Sequence, residues 1–567
     1  MKLVDYGFDI RAWSVLGCEH MALRAFLTCR HAGHAELRSL LRRALTEPDL
    51  PELTGFERFR EQLSHAGEGR GEPRPAVGAP APVLEPPAHR PFTLYVGVIT
   101  ADPTMLRPLL ADLAALCCVP SIAGLVALVL ENGGPGSELR QLVHKPRHPG
   151  LQVALVSEGQ QRRDAAAGAF GAAYRVRPPG QVGIARARTM LQRYLGTLMR
   201  ADENSFAWVL DDDMRVDGRA GVYLPWLPAF RERGVGTLLG QYTGASPNPP
   251  LNGVRVALVD LLHNLVWLQT LDPGASLPDR SAENRALRAK YPDYYYDLSR
   301  KHTGHLEAPH WLEPAFAGET VAQARARLDA GAVGILAGAP LTRPLVADMP
   351  RAPLAAAEDS VNRGGCTFVL DHRALTRTPN LTVQIGGREA RRSDMMWALI
   401  NRYARGLTIQ RVGFAVLHLG RVTPTPDLNM EKVTGELVGA AFYAALTEFI
   451  RDEPQHAMDF SHEDRRRICG LVEEHLARRL LTLELSFHRI RGLKAAIRRV
   501  CGQGPVEELA EYLDRWFTPQ VFAAIRDGTR AATPQDLDVF LTTLRPAADD
   551  YARGTVSIEF IQDQLRS

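Results

Sequence analysis

Cysteine is scarce in this chain and unpatterned. Seven residues, an odd number, are scattered with no C-x-x-C pair, which excludes a disulfide-built scaffold and fits a reducing, cytoplasmic setting. Charge of one sign is also missing. The 67 Lys+Arg against 64 Asp+Glu leave a formal +3, too little to imply a nucleic-acid partner. Lysine itself is nearly absent, with six among the 67 basic residues; with the Ala-rich stretches, that Arg bias points to a GC-rich bacterial genome. The opening residues, MKLVDYGFDIRAW, contain no basic segment followed by an apolar one, so no signal peptide is expected. One apolar stretch, Leu109 to Leu130, has about the length of a membrane span. Asp112 and the Val119-Pro120-Ser121 break divide it into a helix and a strand, so no transmembrane segment is expected.

What is present is ordinary globular material, 567 residues with 45% hydrophobic and 23% charged, enough for about three domains. Residues 1–66 have apolar positions at helical spacing, and 67–91 form a Pro/Gly/Ala/Glu-rich linker that cannot bury a core. From 92 the pattern changes. Short buried strands at Leu94–Thr100, Leu125–Leu130, Val153–Val156 and Phe206–Leu210 alternate with helices at Thr104–Leu116 and Val182–Leu198. That alternation predicts a parallel, doubly wound α/β sheet. It fails between about 244 and 330, which reads as an insertion, and returns at Val333–Ala337, Thr367–Leu370, a helix over Ser393–Tyr403 and a strand near Ile409–Leu417. Residues 92–428 are thus one catalytic-size domain, and 429–567 a helical domain.

The sharpest chemical signal is Trp208-Val209-Leu210-Asp211-Asp212-Asp213. Carboxylates at the carboxyl end of a buried strand stand where open α/β sheets bind ligands. Alternation along an extended chain puts Asp211 and Asp213 on one side and Asp212 on the other. Two hard oxygen ligands on one side suit Mn²⁺ or Mg²⁺, with substrate phosphates filling the shell. An acidic turn capping the next element is the bland alternative.

These residues, in this order, resemble the GT-A-fold glycosyltransferases, in particular family 2-like members with a D-x-D metal motif. The resemblance covers roughly residues 92–422 and implies a Rossmann-like mixed sheet. It implies nucleotide-sugar contacts at Thr100, Asp102, Glu131, Asn132, Arg186, Asp211 and Asp212. Glu131-Asn132 stand where the family usually carries Asp. The D-x-D would be Asp211-Asp212-Asp213. His418, at the end of the last strand, would be a third metal ligand beside Asp211 and Asp213. Asp394, in Arg391-Arg392-Ser393-Asp394, would be the base that deprotonates an acceptor hydroxyl, giving inversion.

Each assignment has a structural competitor. Ser393-Asp394 could be a helix cap and first-turn acid, and His418 a core histidine. Arg186 and Arg188 lie about 200° apart on an ideal helix, so one of them faces the ligand, and Arg186 is the choice. The rival base pair is Glu358-Asp359. Tyr294–Tyr296, His310 and Trp311 are either an acceptor platform or a satellite core. Cys18-x-His20 with Cys29-x-His31-x-x-His34 matches no zinc spacing, and Gly133-Gly134-Pro135-Gly136 lacks the ending of a phosphate loop. The basic amphipathic stretch His475–Arg499 reads as a bundle helix, with a partner helix or an anionic membrane surface as its other use. The expected activity is metal-dependent hexosyl transfer from a UDP- or GDP-sugar to an acceptor hydroxyl. A nucleotidyltransferase using the same acids, or a non-catalytic sugar-nucleotide-binding scaffold, are the alternatives.

Overall fold

The computed structural model describes residues 84–566, apart from 135, 145–149, 246–252, 292–309, 338–340, 348, 363–366, 386–387, 420–428, 455–457, 502–504 and 531–533. Residues 1–66, expected to be helical, most of the stretch 67–91, the Cys18–His34 cluster and Tyr294–Tyr296 lie outside the described residues.

The first half follows the alternation of the sequence. Strand β1 (Phe92–Thr100) leads into α1 (Pro103–Ala115). The Asp102 carboxylate accepts from Thr104 N–H at 2.8 Å, and Pro103 fills the first turn, where no N–H is needed. Then come β2 (Ile122–Glu131), α2 (Gly136–His144), β3 (Leu151–Val156), α3 (Glu158–Ala166), α4 (Ile184–Ala201) and β4 (Ser205–Asp211). The stretch 109–130 is thus shared between α1, a short 3-10 turn and β2.

A two-residue strand β5 (Met214–Arg215), helices α5 (Gly218–Tyr223) and α6 (Leu227–Glu232), and strand β6 (Val235–Gly244) follow. The inserted stretch holds α7 (Val254–Gln269), α8 (Ser281–Lys290) and α9 (Val321–Gly331). Val333–Ala337, where periodicity returns in the sequence, belongs to a 3-10 turn.

The later elements are β7 (Glu358–Asp359), β8 (Thr367–Val369), α10 (His372–Arg377), the β9 (Gln384–Ile385) and β10 (Arg388–Glu389) ribbon, α11 (Ser393–Tyr403) and β11 (Thr408–His418). Helices α12 (Met430–Asp452), α13 (His462–Cys501), α14 (Pro505–Trp516), α15 (Pro519–Arg530), α16 (Pro534–Arg553) and α17 (Glu559–Arg566) complete the chain.

The sheet is mixed, in the order β3-β2-β1-β4-β8-β6-β11-β5, with β7 also on β11. Strands β1 to β4 pair in parallel, and β8 runs antiparallel to both β4 and β6. Strands β6 and β11 therefore point the same way as β1–β4, and six carboxyl ends share one edge. The three-residue β8 keeps its place through Phe368, which stacks on Trp208 at 4.9 Å and meets Phe414 edge-on at 4.7 Å. Such pairs add about 0.5–1.5 kcal/mol each beyond burial. The direction in which strands are added reverses between β1, from which the chain winds outward to β3, and β4, from which it winds the other way. That reversal is the switch point where doubly wound sheets bind ligands.

Helices α1, α2, α5 and α6 pack on one face of the sheet, and α4 and α11 on the other. The second core continues without a break into α12, α16 and α17, so these late helices do not build a core of their own. Arg193 of α4 lies 3.9 Å over the Tyr551 ring, whose hydroxyl donates to the Leu375 carbonyl at 2.7 Å. A third core joins α7 and α9 to α12–α15, and there Leu483, Phe487, Ile490 and Leu493 bury the apolar side of α13. Helix α12 is long and apolar enough to cross a membrane by length and composition, and most of it is buried within the protein.

The free edge of β3 is covered by a side chain. Gln564 accepts from Leu155 N–H at 2.9 Å and donates to the Leu155 carbonyl at 3.2 Å, as a neighbouring strand would. Gln564→Ala is expected to lower the urea-unfolding free energy by about 1–3 kcal/mol, since it strands both groups. The same variant is expected to aggregate sooner on heating, read by light scattering.

Candidate functional site

The site forms where β1 and β4 part. Thr100 Oγ1, on the last residue of β1, donates to Asp212 at 2.7 Å, and both residues are buried. Asp212, expected among the donor contacts, therefore braces the switch point from inside. Asp102 caps α1 and shares Thr104 Oγ1 at 2.6 Å. The Asn132 side chain accepts from Val182 N–H at 3.0 Å and donates to the Val182 carbonyl at 3.1 Å. The Glu131 carboxylate accepts from Glu158 N–H at 2.8 Å, at the start of α3.

Asp211 and Asp213 part from Asp212, with 32% and 13% of their side chains exposed. The chain after Asp213 doubles back as β5, whose Met214 pairs with His418. Asp112 of α1 clamps that strand, taking Arg215 at 2.5 and 2.7 Å and Val216 N–H at 3.0 Å. The pairing brings His418 Nε2 to 3.5 Å from Asp213. His418 Nδ1 donates to the Ala245 carbonyl at 2.9 Å; because a carbonyl only accepts, Nε2 is the atom turned to Asp213. Burial pushes the His418 imidazole down, but the Asp213 hydrogen bond and charge, with the Ala245 carbonyl, outweigh it and raise its pKa.

Asp211 takes a different partner. Arg188 Nη2 lies 3.3 Å from Asp211, and its Nη1 lies 3.4 Å from Asp394. The guanidinium, with 11% of its side chain exposed, thus joins the end of β4 to the start of α11. Arg186 points the other way, donating to the Val176 carbonyl at 3.0 Å beside the Tyr174 ring. The helix phase separates Arg186, the residue chosen from the sequence, from Arg188 as expected, and the acids lie on the Arg188 side.

The first turn of α4 is not open to phosphate either. Ala185 N–H donates to the Glu389 carboxylate at 2.9 Å. Burial raises the Glu389 pKa, against the lowering effects of that N–H and of Arg186. Only a glycine at 183 lets the carboxylate approach, since a Cβ there would collide with it. Gly183→Ala is expected to displace Glu389 and cost about 1 kcal/mol, the loss of a helix cap. Glu389→Ala added to it should then cost little more, which a double-mutant cycle in urea measures.

A divalent cation implied by the resemblance can be tested against these donors. Among the described residues no three His, Cys, Asp or Glu side chains converge. The expected set of Asp211, Asp213 and His418 is divided: Asp213 and His418 meet, while Asp211 is drawn to Arg188. A carboxylate and an imidazole are still a donor pair suited to Mn²⁺.

No protein-family model matches the sequence, and no curated protein matches it. Among solved structures the chain is similar to a mannosyltransferase from Pyrobaculum calidifontis in complex with GDP-Man and Mn²⁺. That pair is 11% identical, covering 88% of this chain and 96% of the other at a TM-score of 0.29. It is also similar to a mycobacterial protein, 13% identical over 62% of this chain and 73% of the other, with a TM-score of 0.27. At that level of likeness a functional reading rests on the site's own geometry.

Other candidates lie away from this edge. Glu358 and Asp359 pair with Arg411 and Arg402 near the amino end of β11. Seven residues of strand, roughly 23 Å at 3.3 Å per residue, separate Arg411 from His418, so this pair is not a base for the site. His310 and Trp311 are buried, and burial lowers the His310 pKa to about 4. His310 N–H donates to Asp260, which also holds Arg343 at 2.5 and 2.8 Å. They form a core, not an acceptor platform. Glu389 and the role of Arg188 have no local signature, because each is defined by a partner far away in sequence.

Proposed function

We propose that the protein is a metal-dependent glycosyltransferase, moving a sugar from a nucleotide-diphosphate sugar to an acceptor hydroxyl with inversion. The observation that carries this reading is the Asp211–Arg188–Asp394 bridge at the switch point, beside the Asp213–His418 pair. Two acidic centres with different partners suit two tasks. Asp213 and His418 would hold the cation, with Asp211 the further carboxylate on that side. When bound, the cation supplies positive charge next to the departing diphosphate.

Asp394 would take the proton of the acceptor hydroxyl as its oxygen bonds to the anomeric carbon and the bond to the diphosphate oxygen breaks. Arg188 fixes the direction of that carboxylate and brings a permanent positive charge to the same crevice. The buried Thr100–Asp212 bond keeps β1 and β4 in register beneath both.

Calorimetric titration of UDP, GDP and their sugar conjugates, each with Mn²⁺ and with EDTA, tests the reading. Mn²⁺-dependent binding of one nucleotide sugar, followed by release of the nucleoside diphosphate on transfer, is expected. Release of pyrophosphate would identify nucleotidyl transfer instead, and no binding by the folded protein would leave the scaffold reading.

A further inference from the structure

Helix α11 starts from a strained residue. Arg392 has φ 77° and ψ 19°, the one non-glycine residue with positive φ among the described residues. Left-handed backbone is unfavourable for an L-residue with a Cβ and persists only where its surroundings hold it. Here the surroundings are α12. Glu436, with 7% of its side chain exposed, pairs with Arg392 and lies 3.4 Å from Arg391 Nε. The Gly435 carbonyl accepts from Arg391 N–H at 3.1 Å. At Gly439 any Cβ would collide with the Arg391 carbonyl. Residues 435, 436 and 439 share one face of α12, so that face is a seat for the Arg391-Arg392 turn. Two residues later Asp394 reaches Arg188.

We propose that Glu436 is a positioning residue: by holding Arg392 left-handed, it aims Asp394 at Arg188 and the reacting hydroxyl. The proposal rests on the reading of Asp394 as the base. It makes α12, a helix beyond the sheet, part of the working site.

Two arms test it on the full-length protein. In a crystal structure of Glu436→Gln, residue 392 is expected to leave the left-handed region and Asp394 to lose Arg188; an unchanged turn overturns the proposal. Gly439→Ala, which pushes on the same turn from α12, serves the same measurement if Glu436→Gln does not fold. In kinetics, Glu436→Gln is expected to lower kcat by about 10- to 100-fold, the scale of a small misplacement. Donor KM should stay within about twofold, because uniform donor binding is untouched. In an Arg392→Gly background, where the left-handed conformation carries no penalty, Glu436→Gln should cost less than about threefold. A full loss there, or a loss confined to KM, overturns the proposal. If the wild-type protein transfers no sugar, the glycosyltransferase reading fails, while the crystallographic arm still decides what Glu436 does to Asp394.

Discussion

Asp213→Ala is expected to abolish Mn²⁺-dependent nucleotide-sugar binding in a protein that still folds. Loss of a partner to a metal ligand typically costs about 10- to 100-fold in affinity, so loss of a ligand itself should cost at least about 100-fold. Titration calorimetry with and without EDTA reads this directly. The fold should survive, because the switch point is braced by Asp212 and Thr100 and β5 by Asp112, none of which the substitution touches. Unaltered Mn²⁺ affinity in Asp213→Ala would remove the cation from this site.

The same variant has a signature without metal. His418 owes its raised pKa to Asp213 against the effect of burial. A folded-state pKa above the unfolded one stabilises most where the imidazole is charged in both states, and the stabilisation fades as pH rises through the folded value. The stability gap between wild type and Asp213→Ala, measured in EDTA, should therefore be widest below the ordinary histidine value of 6.5. It should narrow as the solution becomes alkaline. A gap that widens with pH would mean that the pair does not act as an ion pair.

Asp394→Asn is expected to leave donor binding intact and to lower kcat by about 10²–10⁴-fold, the usual contribution of a general base. The amide is nearly isosteric and can still accept from Arg188, so α11 should keep its start. Initial rates at saturating donor, with calorimetry on the same preparation, separate the two effects. Near-normal turnover would mean that no side chain base is needed at this position, and a retaining front-face reaction would take the place of inversion.

How much of this was legible depended on the range of the interaction. Strands β1 to β4 and the Asp102-Pro103 cap are written locally, as apolar runs and a capping pair, and they stand within a few residues of where the sequence puts them. Helix α11 matches its predicted span, Ser393–Tyr403. Strand β8 (Thr367–Val369) also stands where the sequence puts it, at Thr367–Leu370, but its place between β4 and β6 is not written locally, because its anchor Phe368 packs on Trp208 from 160 positions earlier. The placing of Arg188 rather than Arg186 beside the acids has the same origin. Helix phase says that one arginine faces the crevice, but only the position of Asp394 says which. Glu389, Glu436 and Gln564 were invisible for a related reason: each completes a backbone or an ion pair that the chain reaches only after a long detour.

The Gln564–Leu155 contact gives that detour a duration. The two residues are 409 positions apart. At about 5–20 residues per second, a ribosome needs roughly 20–80 s to travel from one to the other. For that interval β3 is the outermost strand of a nascent sheet with no Gln564 to cover it. Such an edge is an invitation to pair with another chain. Slow translation or crowding of nascent chains should therefore lower the yield of soluble protein, even for a sequence whose finished form is stable.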